Sequence, residues 1–380
     1  MDKVQLIAPC VFGVEAVLKR EIQQLGYNII DVEDGRVTFE GDREAICRSN
    51  IFLRSAERVL IKVGSFRATS FEELFDKVKA LEWENYLEKD SKFWVTKASS
   101  IKSKLFSPSD IQSIVKKSIV DRLRRIYKAE WFEETGSQYP IRVFIKKDQV
   151  TISIDSSGEA LHKRGYRQMT TKAPLSETLA SSMIQLTPWK EDRTLIDPFC
   201  GSGTIPIEAA MQGANIAPGL NRSFESEDWN NLLNKKDWFR AIDEAHDMMK
   251  ENIEVDIQGY DIDEEALKAA RHNAQLAGVD HLIHFQKRDI KELSSPKKYG
   301  FMITNPPYGE RLGTKETTET LYKEMGTVLK KLDTWSFFII TSYDGIEKVI
   351  NKKATKKRKL YNGMLKTNFY QFYGPKPRQS

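Results

Sequence analysis

The sequence predicts an α/β protein in two parts, a smaller α+β region followed by a doubly wound parallel sheet that ends in an antiparallel pair. Three observations carry this. The chain has 380 residues, too many for one compact domain and suited to two or three. Beyond residue 160 short apolar runs alternate with amphipathic helical segments, the pattern of strands joined by crossover helices. One of those runs, RTLIDPF, passes through a glycine-rich turn directly into a helix.

Taken in order, VQLIAP reads as a strand, VEAVLKREIQQLG as a helix ending at Gly26, and YNIIDVEDGRVTFEG as a hairpin about its DG turn. A helix around Asp42–Leu53 leads to RVLIKVGSF, a strand ending near Gly64. The amphipathic SFEELFDKVKALEWENYL opens on Ser70 as N-cap with Glu73 completing a capping box. FWVTKASSI is strand-like. In SPSDIQSIVKKSIVDRLRRIY, Ile111, Ile114, Val115, Ile119 and Leu123 recur at helical spacing, with Lys116, Lys117, Arg122, Arg124 and Arg125 opposite. IRVFIKKDQVTISIDSSG turns through Lys147-Asp148, and the polar stretch after it places the main domain boundary near residue 160.

In the second part Pro174, near the first helical position, opens LSETLASSMIQL. Then follow RTLIDPF, IPIEAAMQG, IQGYDID, EEALKAARHNAQLAG, IHFQKRD and KYGFMITNPPYG as strand, helix, strand, helix, strand and strand. WSFFIITS and NFYQFYG are expected to pair antiparallel at one edge.

With 40% hydrophobic and 30% charged residues, the chain can bury a sizeable core. No apolar stretch reaches the ~18 residues of a membrane helix, and the start lacks a secretory pattern. The expectation is a cytoplasmic protein with no membrane partner. Cys10, Cys47 and Cys200 are too far apart for a zinc site or disulfide framework, so no metal is expected. There is no GxSxG for a serine hydrolase. The charge is uneven: residues 92–128 hold ten basic residues against two acidic ones, and residues 351–380 hold nine and none. Two basic segments on an otherwise acidic chain suit a polyanion, whose phosphates release counterions on binding.

The chemistry concentrates in four stations. In Asp197-Pro198-Phe199-Cys200-Gly201-Ser202-Gly203-Thr204, glycines between strand and helix let a nucleotide-like ligand approach the backbone. The loop departs from G-x-G-x-x-G, having Pro206 at the third glycine, and lacks the Walker lysine. Asp261 ends the next strand and is placed to accept from two ribose hydroxyls, and Asp289 ends the following one, placed to accept from an adenine amine. Asn305-Pro306-Pro307-Tyr308 leaves a strand stiffened by two prolines. The Asn305 amide oxygen and the Pro306 carbonyl can accept both hydrogens of an exocyclic amine while Tyr308 stacks on its base. Cys200 reads as a small apolar filler rather than a nucleophile.

DPFCGSGT, YDID, RD and NPPYGER resemble the motifs of class I S-adenosylmethionine-dependent amino-methyltransferases. The whole chain resembles the THUMP-containing methyltransferases of the 23S ribosomal RNA guanine-N2 type, often labelled N6-adenine-specific DNA methylases, through SNIFLRSAERVL, LHKRGYR, APLSETLA, IAPGLNRSF and KRKLYNG as well. The resemblance implies a ferredoxin-like subdomain at 1–64, a THUMP RNA-binding domain at 65–160, and a Rossmann-like methyltransferase domain at 161–380. It implies S-adenosyl-L-methionine as cofactor, held by Pro174, Leu175, Glu177, Asp197, Pro198, Gly201, Gly203, Thr204, Asp261, Ile262, Asp289 and Asn305. The target base would be held by Asn305, Pro306, Pro307 and Tyr308. The expected substrate is 23S ribosomal RNA, with tRNA guanine-N2 methylation, DNA adenine-N6 methylation and a non-catalytic RNA-binding assembly factor as the competing readings.

Overall fold

A computed structural model describes residues 3–170, 174–308 and 315–377. The first part contains β1 (Val4–Pro9), α1 (Glu15–Gln24), β2 (Asn28–Glu33), β3 (Arg36–Gly41), α2 (Arg43–Phe52), β4 (Leu60–Arg67), α3 (Phe71–Lys79), β5 (Lys92–Ile101), α4 (Pro108–Tyr127), β6 (Gln138–Lys146) and β7 (Gln149–Asp155). These strands form one seven-stranded sheet in the order β2-β3-β1-β4-β7-β6-β5. Only β5 and β6 run parallel in it. β4 joins its two sides, pairing Leu60 and Ile61 with β1 and its full length with β7.

Local chemistry explains most element ends. Asp42 caps α2 by accepting from the Ala45 N–H, and Lys147 and Asp148 turn the β6–β7 hairpin with φ of 51° and 64°. Three expectations need correction. β4 does not stop at Gly64 but runs to Arg67, because the register irregularity falls on Val63 and pairing with β7 resumes at Gly64. Ser70 does accept from the Glu73 N–H, but the Glu73 carboxylate reaches the Thr69 N–H, one residue before the box position. The helix expected to open at Pro174 begins at Glu177 instead, with Ser176 as its cap, since a serine hydroxyl can accept a first-turn N–H and proline cannot.

The second part contains α5 (Glu177–Gln185), β8 (Leu195–Asp197), α6 (Thr204–Gly213), α7 (Lys235–Asp247), β9 (Ile257–Asp261), α8 (Glu264–Leu276), β10 (Ile283–Lys287), β11 (Phe301–Thr304), α9 (Lys315–Lys331), β12 (Ser336–Thr341), α10 (Ile346–Val349), β13 (Lys356–Asn362) and β14 (Leu365–Phe372). Its sheet has the order β10-β9-β8-β11-β12-β14-β13, with β8 to β12 parallel and β14 antiparallel to its neighbours. The expected antiparallel pairing of WSFFIITS with NFYQFYG is present as β12–β14. It is not the edge, because β13 pairs outside β14. Strand order reverses between β8 and β11, and such switch points open a crevice at the carboxyl ends of the strands.

One apolar core runs from Val4 through both parts to Phe369, and a second fills the opposite face of the second sheet. The 217–234 insertion binds the parts together. Trp229 stacks on Tyr139 at 4.8 Å and its indole N–H donates to the Gln138 carbonyl at 2.7 Å. Arg222 donates to the carbonyls of Glu159, Ala160 and Lys163. Nearby, Arg48 on α2 makes a two-pronged pair with Glu244 on α7 at 2.6 and 2.7 Å.

Candidate active site

β8 carries Asp197 to its carboxyl end, and the chain then turns through Gly201 (φ 52°) and Gly203 (φ 85°) into α6. A Cβ at Gly203 would come within 3.0 Å of the Ala270 Cβ and 3.2 Å of the Phe285 ring, so the loop lies flat on α8 and β10. Asp261, at the end of β9, holds the loop from the side. Its Oδ2 accepts from the Gly201 N–H at 2.9 Å and its Oδ1 from the Asp263 N–H at 3.0 Å. Asp289 accepts from the Lys291 N–H at 3.0 Å, capping a short turn after β10. Cys200 is buried, which pushes its thiol well up and keeps it protonated.

Asp197 is 1% exposed. Its Oδ1 accepts from the Phe199 N–H at 3.1 Å and the Thr304 hydroxyl at 2.6 Å, so it ties the end of β8 to the end of β11. Burial pushes its carboxyl up to about 7, against the pull of those two donors.

Asn305 follows Thr304 directly. Its Oδ1 is buried with no hydrogen-bond partner among the described residues, an arrangement that costs ~1–3 kcal/mol. Pro306 is buried, Pro307 half-buried, and Tyr308 only 3% exposed. The Asn362 Nδ2 donates to the Tyr308 hydroxyl at 3.3 Å. The expectation that Tyr308 stacks on a base therefore meets a side chain enclosed by protein. Its neighbours Gly309, Glu310 and Arg311 of the NPPYGER stretch, like Ala173 of APLSETLA, lie outside the described residues.

A cavity of about 1140 Å³ gathers part of the expected set: Pro198, Gly201, Asp261, Ile262, Asp289, Asn305 and Pro307. Asp197, Gly203, Thr204, Pro306 and Tyr308 stand behind that wall rather than in it. Pro174, Leu175 and Glu177 do not line it either, and Leu175 and Glu177 reach the loop through Arg167. The Arg167 Nη2 donates to the Leu175 carbonyl at 2.8 Å and the Thr204 hydroxyl at 2.7 Å, while its Nε pairs with Glu177 at 3.0 Å. Burial pushes the Glu177 carboxyl up.

Sequence reasoning assigned no role to Arg167, nor to Met169, Thr170, Phe199, Leu321 and Glu324, which also line the cavity. Met169 is held by Asn273, whose Oδ1 accepts from the Gln168 and Met169 N–H groups and whose Nδ2 donates to the Met169 and Ser202 carbonyls. Phe199, inside the glycine motif, and Arg167, the last residue of LHKRGYR, carried a local signal.

On α4, Lys116, Lys117, Arg124 and Arg125 are exposed, whereas Arg122 is occupied by Glu84.

The glycine loop against α6, carboxylates on two successive strand ends and an unpartnered amide oxygen on a third suit S-adenosylmethionine with an amine beside it. The volume is at the upper end of the ~300–1,000 Å³ typical of small-molecule sites. Fold and site together define an S-adenosylmethionine-dependent methyltransferase carrying an amino-terminal RNA-binding region. Family models match along nearly the whole chain: the RlmL ferredoxin-like domain at 5–60, the THUMP domain at 68–155 and the RMKL-like methyltransferase domain at 164–371. The chain belongs to this RMKL-like methyltransferase family.

YpsC of Bacillus subtilis (strain 168), named as a candidate RNA methyltransferase, is 47% identical over 98% of this chain and 97% of its own length. The ribosomal RNA large subunit methyltransferase K/L of Cellvibrio japonicus is 32% identical over 97% of this chain, which spans about half (51%) of that protein. The crystal structure of SMU.472, a methyltransferase candidate complexed with SAH, superposes with a TM-score of 0.94 at 42% identity, covering 100% of both chains.

Proposed function

We propose that this protein methylates the exocyclic N2 amine of a guanine in RNA, with 23S ribosomal RNA as the substrate. The observation that carries the reading is the buried, unpartnered Asn305 Oδ1 at the end of β11, on a residue that lines a cavity of about 1140 Å³. In this reading residues 1–64 and 65–160 are the ferredoxin-like and THUMP units that engage RNA, and residues 161–380 carry out transfer.

S-adenosylmethionine supplies an electrophilic methyl group. Gly201 and Gly203 present backbone to it without side chains in the way, Asp197 backs its methionine end, Asp261 accepts from its ribose and Asp289 from its adenine. Asn305 Oδ1 and the Pro306 carbonyl accept the two amine hydrogens. A guanine amine is a weak nucleophile because its lone pair is delocalised into the ring. Acceptors on its hydrogens favour the pyramidal geometry and stabilise the positive charge that develops as nitrogen attacks. A strong base is not required before attack, and none of the five histidines lines the cavity.

The ribosomal substrate is favoured over tRNA by the 32% identity to a large-subunit methyltransferase. The test is transfer of labelled methyl from S-adenosylmethionine to total RNA from a strain lacking the enzyme, sized and digested to nucleosides. N2-methylguanosine in the large ribosomal RNA is the expected product. Label in tRNA would move the substrate, and label in DNA alone would overturn the reading. Asn305→Ala should lower transfer ~10²–10³-fold with cofactor affinity retained, and equal loss of both would refute its role.

A further inference from the structure

We propose that Met364, at the tip of the β13–β14 hairpin, is a wedge that enters the RNA base stack and fills the gap left by the extruded guanine. The inference rests on the guanine reading above and deepens it.

The tip is built from sequence chemistry. β13 and β14 pair from Lys356–Gln371 up to Asn362–Leu365, leaving Gly363 and Met364 as a two-residue turn. Gly363 has φ +60° and Met364 does not share the left-handed region, the arrangement of a type II′ hairpin with glycine first. The second turn position needs no apolar side chain for folding, yet it holds a methionine that is 99% exposed, followed by Leu365 at 49%.

Three contacts place and stiffen the hairpin. Asn362, two residues before Met364, donates to the hydroxyl of Tyr308 at the end of the Asn305–Tyr308 segment. Tyr361 packs edge-on against Phe12 of the first part at 5.9 Å, with the Lys359 ammonium 5.9 and 5.2 Å from the two rings. Gly13 lies so close that a Cβ there would come 2.5 Å from the Lys359 carbonyl. The tip is therefore braced between the catalytic segment and the RNA-binding region.

The occupant follows from charge. Lys356, Lys359 and Lys366 are exposed on the two strands, and residues 351–380 contain no acid. A lone apolar side chain on a cationic ribbon suits a nucleic-acid backbone, with the apolar tip reaching the bases. Proteins that unstack a duplex insert Met, Leu, Ile, Phe or Pro between base steps, and a base embedded in a stem must leave the stack before its amine can reach a buried acceptor.

The test uses the full chain and two RNAs: a hairpin holding the methylated guanine in its stem, and the same strand with the complementary arm removed. Single-turnover methyl transfer is measured for wild type, Met364→Ala, Met364→Lys and Met364→Phe. The expected result is a stem-to-open rate ratio lowered about tenfold or more in the Ala and Lys variants and restored by Phe. The Lys variant should bind both RNAs at least as tightly as wild type, which separates wedging from affinity. An unchanged ratio in the Ala and Lys variants, or a ratio that follows RNA affinity, overturns the proposal. Wild type that transfers to neither RNA overturns the guanine reading instead.

Discussion

Asp197→Asn should make the protein more stable than wild type above neutral pH while leaving it equally stable below about pH 4. Burial sets the wild-type carboxyl at about 7, against an ordinary value of 3.8. Between those values the folded chain binds a proton that the unfolded chain has lost, so the contribution is fully present below about pH 4 and disappears as pH rises through about 7. The gap corresponds to about 4 kcal/mol at most. Asparagine keeps the geometry, since its Oδ1 still accepts from Phe199 and Thr304, and it has no proton to lose. Urea unfolding of the full chain without cofactor, followed by tryptophan fluorescence, should show wild type losing about 2–3 kcal/mol more than the variant between pH 5 and pH 8. Glu21 and Glu177 are also pushed up by burial, but they are common to both proteins and cancel in the comparison. Parallel stability curves would refute the assignment of Asp197 as the buried titrating group.

Asp261→Ala should weaken S-adenosylmethionine at least ~30-fold, since it removes a charged acceptor and frees the Gly201 N–H, and calorimetric titration showing native affinity would sink the ribose role. Arg167→Met should lower cofactor affinity about tenfold by releasing Leu175 and Thr204 and leaving Glu177 unpaired, with an unchanged dissociation constant as the contrary result. Trp229→Ala should cost ~3–5 kcal/mol of stability and reduce methyl transfer to RNA more than cofactor binding, because Trp229 joins the insertion to β6. Equal effects on both functions would place the damage in the catalytic part alone.

What could be read from the sequence was whatever is specified locally. The apolar stripe of α4, the Asp34-Gly35 turn, the cap at Ser70 and the strand-ending Asp197 and Asp261 all depend on neighbours within a few residues. Apart from the β12–β14 pairing, contacts between distant segments were not legible. Trp229 meets Tyr139 some ninety positions away, Asn273 reaches back to Met169 across about a hundred, and β13 becomes a strand only because β14 offers it an edge. Tyr308 is the instructive case among the site residues. Its type and its place after two prolines suggest a stacking platform, but the side chain is buried and its hydroxyl accepts from Asn362, which is brought to it by a hairpin more than fifty residues downstream.

That hairpin contact also completes the logic of the catalytic segment. Thr304 is tied to Asp197 at one end and Tyr308 to Asn362 at the other, while Pro306 and Pro307 remove torsional freedom between them. A weak amine nucleophile gains little from an acceptor that must first move into place, because reorganisation would consume the energy the hydrogen bond returns. Holding Asn305 Oδ1 buried and unpartnered is unfavourable before RNA arrives. On the proposed reading, the anchors at each end keep it there, so that its strongest hydrogen bond would be made as charge develops on the amine nitrogen, favouring the transition state over the ground state.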